Sequence, residues 1–211
     1  MINKKYQTQS TNIQSYNYTD IAEGTGVVVF YAADLSGSTI LTQNVLYSRL
    51  GHTHMTANDT ATLNFDATFN TPKVIRGNLR VNLPVGVYVS AGSPTGALPL
   101  SGSVAIYHYD GTDETLLGSA NEISTMAFAA DDTSLYKIYA FGIDISQKEF
   151  KSGETLRVKS TFNSPLGTPT LACFMAHDPK NRLTLGSEYT TNPMAWETTQ
   201  QTIHVPFVLD L

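Results

Sequence analysis

The sequence predicts an all-β fold: an antiparallel β-sandwich, jelly-roll-like, with an extended N-terminal arm. Three observations carry this. Apolar residues alternate with polar ones over long stretches, most clearly Ile75, Gly77, Leu79, Val81, Leu83, Val85, Val87 and Val89 with Asn78, Arg80, Asn82 and Ser90 between them. A period of two marks a strand with one buried face. The alternating runs are separated by Gly-, Pro- and Asp-rich turn signals, and roughly eight to ten strands at spacings of about 10 to 20 residues fit jelly-roll crossovers better than simple hairpins. Finally, no stretch carries a convincing 3.6-residue apolar period, although "NEISTMAFAADD" (Asn121 to Asp132) has room for a helical turn or a short helix.

In chain order, residues 1–17 hold no Gly, no Pro and no acidic residue, but many Gln, Asn, Ser and Thr. Such a segment buries too little apolar surface to fold by itself. It reads as an extended arm, with a tail or a first edge strand as alternatives, and its candidate contact residues are Lys4, Lys5, Tyr6, Tyr16 and Tyr18. Residues 18–211 are expected to form a single β-sandwich domain, because the chain has no internal repeat and no linker that would divide it.

Alternation persists from Thr25 onward. In the long run that ends at Val89, Pro84 and Gly86 suggest an edge strand or a bend where the strand passes from one sheet to another. The segment "GSPTGALPLSG" (Gly92 to Gly102) reads as a loop. Further strands are expected at Val104–Tyr109, Leu135–Ile145, Leu156–Phe162 and Ile203–Leu209, with turns at "YDGTDE", "KSGE" (Lys151 to Glu154) and "SPLGTP" (Ser164 to Pro169).

Composition narrows the function. Net charge is −5 and Lys or Arg never cluster, so a polyphosphate backbone finds no basic field and nucleic acid is not an expected partner. Charged residues make up 15% of the chain, against a usual level of about 25%. Thr and Ser instead solvate the surface, which suits exposed sheet faces and faces that lie against other proteins. Cys173, the single cysteine, sits in "LACFMA" as a small core residue, and no internal disulfide can form. The N-terminus has no apolar signal region, and the longest apolar run, "VVVFYAA", is far short of the roughly 20 residues a membrane span needs. No membrane partner is expected, and the sequons at Asn17 and Asn58 are accordingly discounted.

Several motifs bear on chemistry. In "GHTHMTAND", His52 and His54 would point to one side of a strand, as two imidazoles must to share a metal. Cupins, which are jelly rolls, sign themselves with His-x-His followed by an acidic residue, here Asp59, and the spacing of their second motif is mimicked by His177 and Asn181. The glycines that shape the family's ligand-bearing turns are missing, so a surface loop accounts for this stretch with less machinery and no metal is expected. His108 and His204 stand singly on strands and read as hydrogen-bonded packing residues. Asp110, Asp113 and Glu114 offer hard oxygens to calcium, yet Asp and Gly are also what a tight turn requires. Asp131 and Asp132 are weaker calcium candidates.

Tyr107 and Tyr109 share one strand face and form a candidate aromatic platform, with ordinary packing as the alternative. No nucleophile elbow, phosphate loop, dinucleotide fingerprint or Cys-x-x-Cys occurs. The expectation is therefore no cofactor and no enzymatic activity.

The stretches "SVAIYHYDGTDETLLGSA" (Ser103 to Ala120), "FKSGETLRVKSTF" (Phe150 to Phe162) and "TIHVPFVLDL" (Thr202 to Leu211), behind a polar arm, resemble virion structural proteins of tailed bacteriophages, of the jelly-roll decoration, cement or minor capsid type. The resemblance implies a capsid protein role on the capsid exterior after synthesis in the host cytoplasm. Its implied partners are the major capsid protein or other virion proteins, and its implied state is a homo-oligomer, with a trimer favoured. A glycan- or receptor-binding β-sandwich of a phage tail or fibre is the alternative.

Overall fold

The structure is a computed structural model and describes residues 25–35, 38–43, 52–56, 60–89, 96–128, 134–163, 171–177 and 201–208. Among the described residues there are eleven strands and no helix. In chain order they are β1 (Thr25–Leu35), β2 (Ser38–Thr42), β3 (His52–Thr56), β4 (Thr60–Thr68), β5 (Lys73–Val89), β6 (Gly96–Tyr109), β7 (Glu114–Phe128), β8 (Ser134–Phe150), β9 (Thr155–Asn163), β10 (Leu171–Ala176) and β11 (Thr202–Val208). They form one hydrogen-bonded sheet in the order β3-β10-β5-β11-β1-β2-β4-β9-β6-β7, with β8 pairing β5. The ladders are antiparallel except for a short parallel pairing of β2 with β4 at Ile40 and Asp66.

The sheet curls over so that its inner face closes on itself, as a jelly-roll-like sandwich does. Alternation dictates which residues go inside. Leu79, Val81, Leu83, Val85 and Val87 of β5 are fully buried, and meet Tyr139, Phe141, Ile143 and Ile145 of β8 with Val104, Ile106, Leu156 and Val158 of β6 and β9. Each such side chain contributes about 1.5–3 kcal/mol through removal from water. The β7 and β8 ends of the sheet approach each other through side chains. Tyr139 donates its hydroxyl hydrogen to the Leu100 carbonyl at 3.1 Å and lies 2.8 Å from Ser124 Oγ, while Lys137 reaches Glu122 at 2.6 Å. Burial pushes the Tyr139 phenol above its ordinary pKa.

Four expectations change. β5 is no edge strand: β8 runs along one side of it, and on the other β11 pairs with its first half and β10 with its second. Pro84 stands where β11 ends and β10 begins, so its missing N–H costs no ladder bond on that side. Residues Gly96–Gly102 are strand rather than loop. Pro99 fits there because β9 pairs with β6 only from Ser101 onward, leaving one side of Pro99 without a neighbouring strand. Asn121–Phe128 is also strand, drawn into the long β6–β7 ladder rather than a helical turn. Finally, His52–Thr56 is a strand paired with β10, not a surface loop.

Candidate functional site

The outer face of β4, β9, β6 and β7 is a continuous surface that register defines. Directly opposed residues share a face, which sets Thr62 of β4, Thr161 of β9, Ser103 of β6 and Asn121 of β7 in one row across the layer. The next row holds Asn64, Lys159, Ala105 and Ser119. The Thr62 and Thr161 hydroxyls meet at 3.1 Å. These side chains are short and neutral apart from Lys159, so the middle of the face is low and hydroxyl-rich. Ile123, 73% exposed, stands on β7 opposite Ser101.

One end of the face carries charge and aromatic rings. Arg157 of β9 lies opposite Asp66 and grips its carboxylate with two hydrogen bonds, Nε to Oδ1 at 2.7 Å and a terminal nitrogen to Oδ2 at 2.6 Å. Its other terminal nitrogen reaches Glu114. The hydrogen bonds to Asp66 hold the guanidinium firmly charged, above its ordinary pKa. The same guanidinium lies 4.5 Å from the ring centre of Tyr109, and the Lys159 ammonium lies 5.9 Å from that of Tyr107. Thus both candidate platform tyrosines are half-buried on this face, and each has a cation over its ring. The sequence reading missed these cations. Arg157 and Lys159 alternate on β9 as Tyr107 and Tyr109 do on β6, and that paired i, i+2 pattern is the signal that marks them.

The tyrosines lead into a polar turn. Asp110 Oδ1 accepts the backbone N–H groups of Asp113 at 2.8 Å and Thr112 at 2.9 Å, and these bonds lower its pKa. Gly111 has a φ of 103°, a conformation open to glycine. The oxygen considered for calcium is thus occupied in shaping the hairpin, and Glu114 faces Arg157 instead of the loop. Beneath lies His108, 7% exposed, with Nε2 at 2.7 Å from Glu154 Oε2 and its ring edge-on to Phe150. Glu154 Oε2 also accepts the Lys151 N–H at 2.8 Å, and its pKa falls chiefly through the His108 hydrogen bond. His108 is the hydrogen-bonded packing histidine that its lone position on a strand predicts.

The other candidate residues are scattered. His204 lies on β11 opposite Arg80 of β5, and burial together with that neighbouring cation lowers its pKa. His177 is buried against the Phe65 ring, 5.8 Å between centres. His52 and His54 are in β3, and Cys173 is in β10 opposite Met55. Lys4, Lys5, Tyr6, Tyr16, Tyr18, Asn58, Asp59, Asp131, Asp132 and Asn181 lie outside the described residues. Among the described residues, no three His, Cys, Asp or Glu side chains gather as metal ligands would, and no helix is long and apolar enough to cross a membrane.

No protein-family model matches the chain, and no curated protein sequence matches it. Solved structures do share its fold. It is similar to a CocE/NonD family hydrolase from Staphylococcus aureus at a TM-score of 0.50 and 12% identity, over 88% of this chain and 37% of that one. Similarity to an α-amino acid ester hydrolase has a TM-score of 0.46 at 12% identity, over 86% of this chain and 34% of the other. The infectious bursal disease virus VP2 subviral particle gives 0.34 at 12% identity, over 88% and 37%. The chain therefore spans little more than a third of the length of the hydrolases it resembles. The likeness to the CocE/NonD hydrolase overturns the expectation of a chain without enzymatic activity. That expectation rested on missing sequence motifs and on a fold taken as structural, whereas the same fold forms part of hydrolases.

Proposed function

We propose that the chain is a structural and binding β-module that acts through extended surface contact, and specifically a virion structural protein of the capsid decoration or cement type. The observation that carries this is the outer face of β4, β9, β6 and β7, where Thr62, Thr161, Ser103 and Asn121 form one row across four strands and the next row is short-chained apart from Lys159. Short neutral side chains cost little to desolvate, so a wide contact forms without a deep pocket. Repetition across a lattice multiplies a modest contact. The resemblance of Ser103–Ala120, Phe150–Phe162 and Thr202–Leu211 to phage decoration proteins adds to this reading.

In this role the partners are the major capsid protein or other virion proteins, the site of action is the capsid exterior, and the protein is a homo-oligomer, with a trimer favoured. Residues 1–17 form the arm that reaches a neighbour, and 18–211 form the sandwich. Mixing the purified protein with undecorated capsids and with dissociated capsid subunits tests the proposal. The protein is expected to sediment with shells and to add ordered density to them; equal, weak binding to both would sink it. Deleting residues 1–17 should leave the melting transition in place and lower the association seen by light scattering.

A glycan- or receptor-binding module is the second reading: Tyr107 and Tyr109 lie on the same face, and a sugar stacked on them takes the places that Lys159 and Arg157 hold over their rings. It requires sugar binding that disappears in Tyr107→Ala and Tyr109→Ala, with no preference for assembled shells.

A further inference from the structure

The opposite outer surface, formed by β8, β5, β11 and β1, has a different character. Arg80 of β5 and His204 of β11 are direct cross-strand partners, so their side chains rise side by side on one face. Val29 of β1 flanks His204 on its far side, and Gly142 of β8 flanks Arg80. Gly142 has no side chain and Ala140, next along the same face, has only a methyl, so β8 raises no side chain directly beside Arg80, and Asp144 stands one row away on the other side of Gly142. One row away, Asn82 donates to Thr202 Oγ1 at 3.0 Å, with Tyr31 of β1 opposite Thr202.

Arg80 is exposed and has no carboxylate partner among the described residues. The acidic side chain across β8 is Asp144, which accepts the Asn78 amide at 2.9 Å. Arg76, also exposed, lies four residues earlier on β5. The groups that face His204 are thus Arg80 from β5 and, from β1, apolar Val29 with Tyr31 beside it. Arg80 thus stands beside a half-buried imidazole, on a protein whose net charge is −5, while Asp144 on the same face is engaged by Asn78.

We propose that Arg80 and His204 form a carboxylate-docking patch for an acidic segment of a partner protein. The apolar margin decides for a protein segment. Val29 borders His204, and Val27, 47% exposed, continues the strip along β1, so an occupant that alternates carboxylates with aliphatic side chains matches both halves of the surface. Two arginines and a histidine without a lysine row are too few for a polyphosphate chain. This patch stands apart from the hydroxyl-rich face and does not rest on the virion reading.

Docking has a built-in dependence on acidity. In the free protein, burial and Arg80 disfavour the imidazolium. A carboxylate placed between them neutralises Arg80 and favours the imidazolium, so binding takes up a proton and tightens as pH falls through the imidazole range.

The test uses the full chain and a fluorescein-labelled peptide of Glu, Val and Ser, with its Glu→Gln counterpart and an oligouronate as competitors. Anisotropy titrations at about pH 7.5 and about pH 5.5 are expected to show binding of the acidic peptide that is about threefold to tenfold tighter at the lower pH. Arg80→Gln should weaken it about tenfold. His204→Gln should remove the pH dependence while leaving part of the affinity, and Arg80→Lys should retain more binding than Arg80→Gln. Thermal melts of each variant separate lost docking from lost folding, and His204→Gln keeps the comparison if Arg80→Gln fails to fold. Equal binding of the Gln peptide, indifference to both substitutions, or tighter binding of the oligouronate would each overturn the proposal.

Discussion

Arg157 is gripped by two carboxylates and covers a tyrosine ring, with its side chain only 18% exposed. Removing it strands Asp66 in a half-buried place. Arg157→Ala is therefore expected to destabilise the fold by about 2–3 kcal/mol in urea titrations. Arg157→Lys should recover only part of this, since a point charge cannot reproduce the bidentate grip. Glu154 shows the other kind of dependence. Its pKa is depressed in the fold, so its contribution is present above the unfolded value and vanishes as pH falls through the folded one. Acid titration of stability should flatten in Glu154→Gln across that window, and His108→Gln should shift the same limb of the curve. If the two variants retain the parental acid limb, the His108–Glu154 pair is not what sets it. These single contacts were poorly legible in the sequence. Tyr107, Tyr109 and His108 stood out as residues, but the partners that determine what they do come from β9 and from the Lys151–Glu154 turn, 40 or more positions away, and no local pattern joins them.

Strands, by contrast, could be read with some success wherever one face is buried. β5, β8, β9 and β11 follow alternation that the sequence states openly, and the "YDGTDE" and "KSGE" turns fall between strands as their Asp and Gly residues require. The misses are also physical. Gly96–Gly102 and Asn121–Phe128 are strands because they pair with each other over a long ladder, and exposed residues such as Ile123 and Thr125 leave little apolar rhythm to detect. In that ladder, backbone proximity is exacting. A Cβ on Gly102 would come within 2.7 Å of the Tyr139 ring, and one on Gly118 within 2.6 Å of Ile143 Cγ2. Gly102→Ala should thus cost about 1–3 kcal/mol by forcing Tyr139 from its place. Pairing it with Tyr139→Leu should give a double-mutant coupling that relieves part of the loss. Strict additivity would mean that the ring is not what the methyl meets.

Across the whole molecule, β5 is the hub: it alone touches β8, β10 and β11 in backbone ladders. The fold class was legible because so many positions alternate, whereas the order of strands was not, since alternation says which face is buried and nothing about which strand lies beside it. That order has a temporal side. β11 follows the other ten strands in sequence, yet it lies between β1 and β5, with Thr25 opposite Val208. As the chain emerges from a ribosome, β1 and β5 must wait, each with one edge unmatched along its first half, until β11 arrives. A chain halted just before Thr202 is therefore expected to expose two parallel rows of unmet amides and carbonyls and to aggregate, and supplying β11 in trans as a synthetic peptide should rescue it into a soluble complex. β11 works as a keystone, set after the ten described strands that precede it and bearing on both sides.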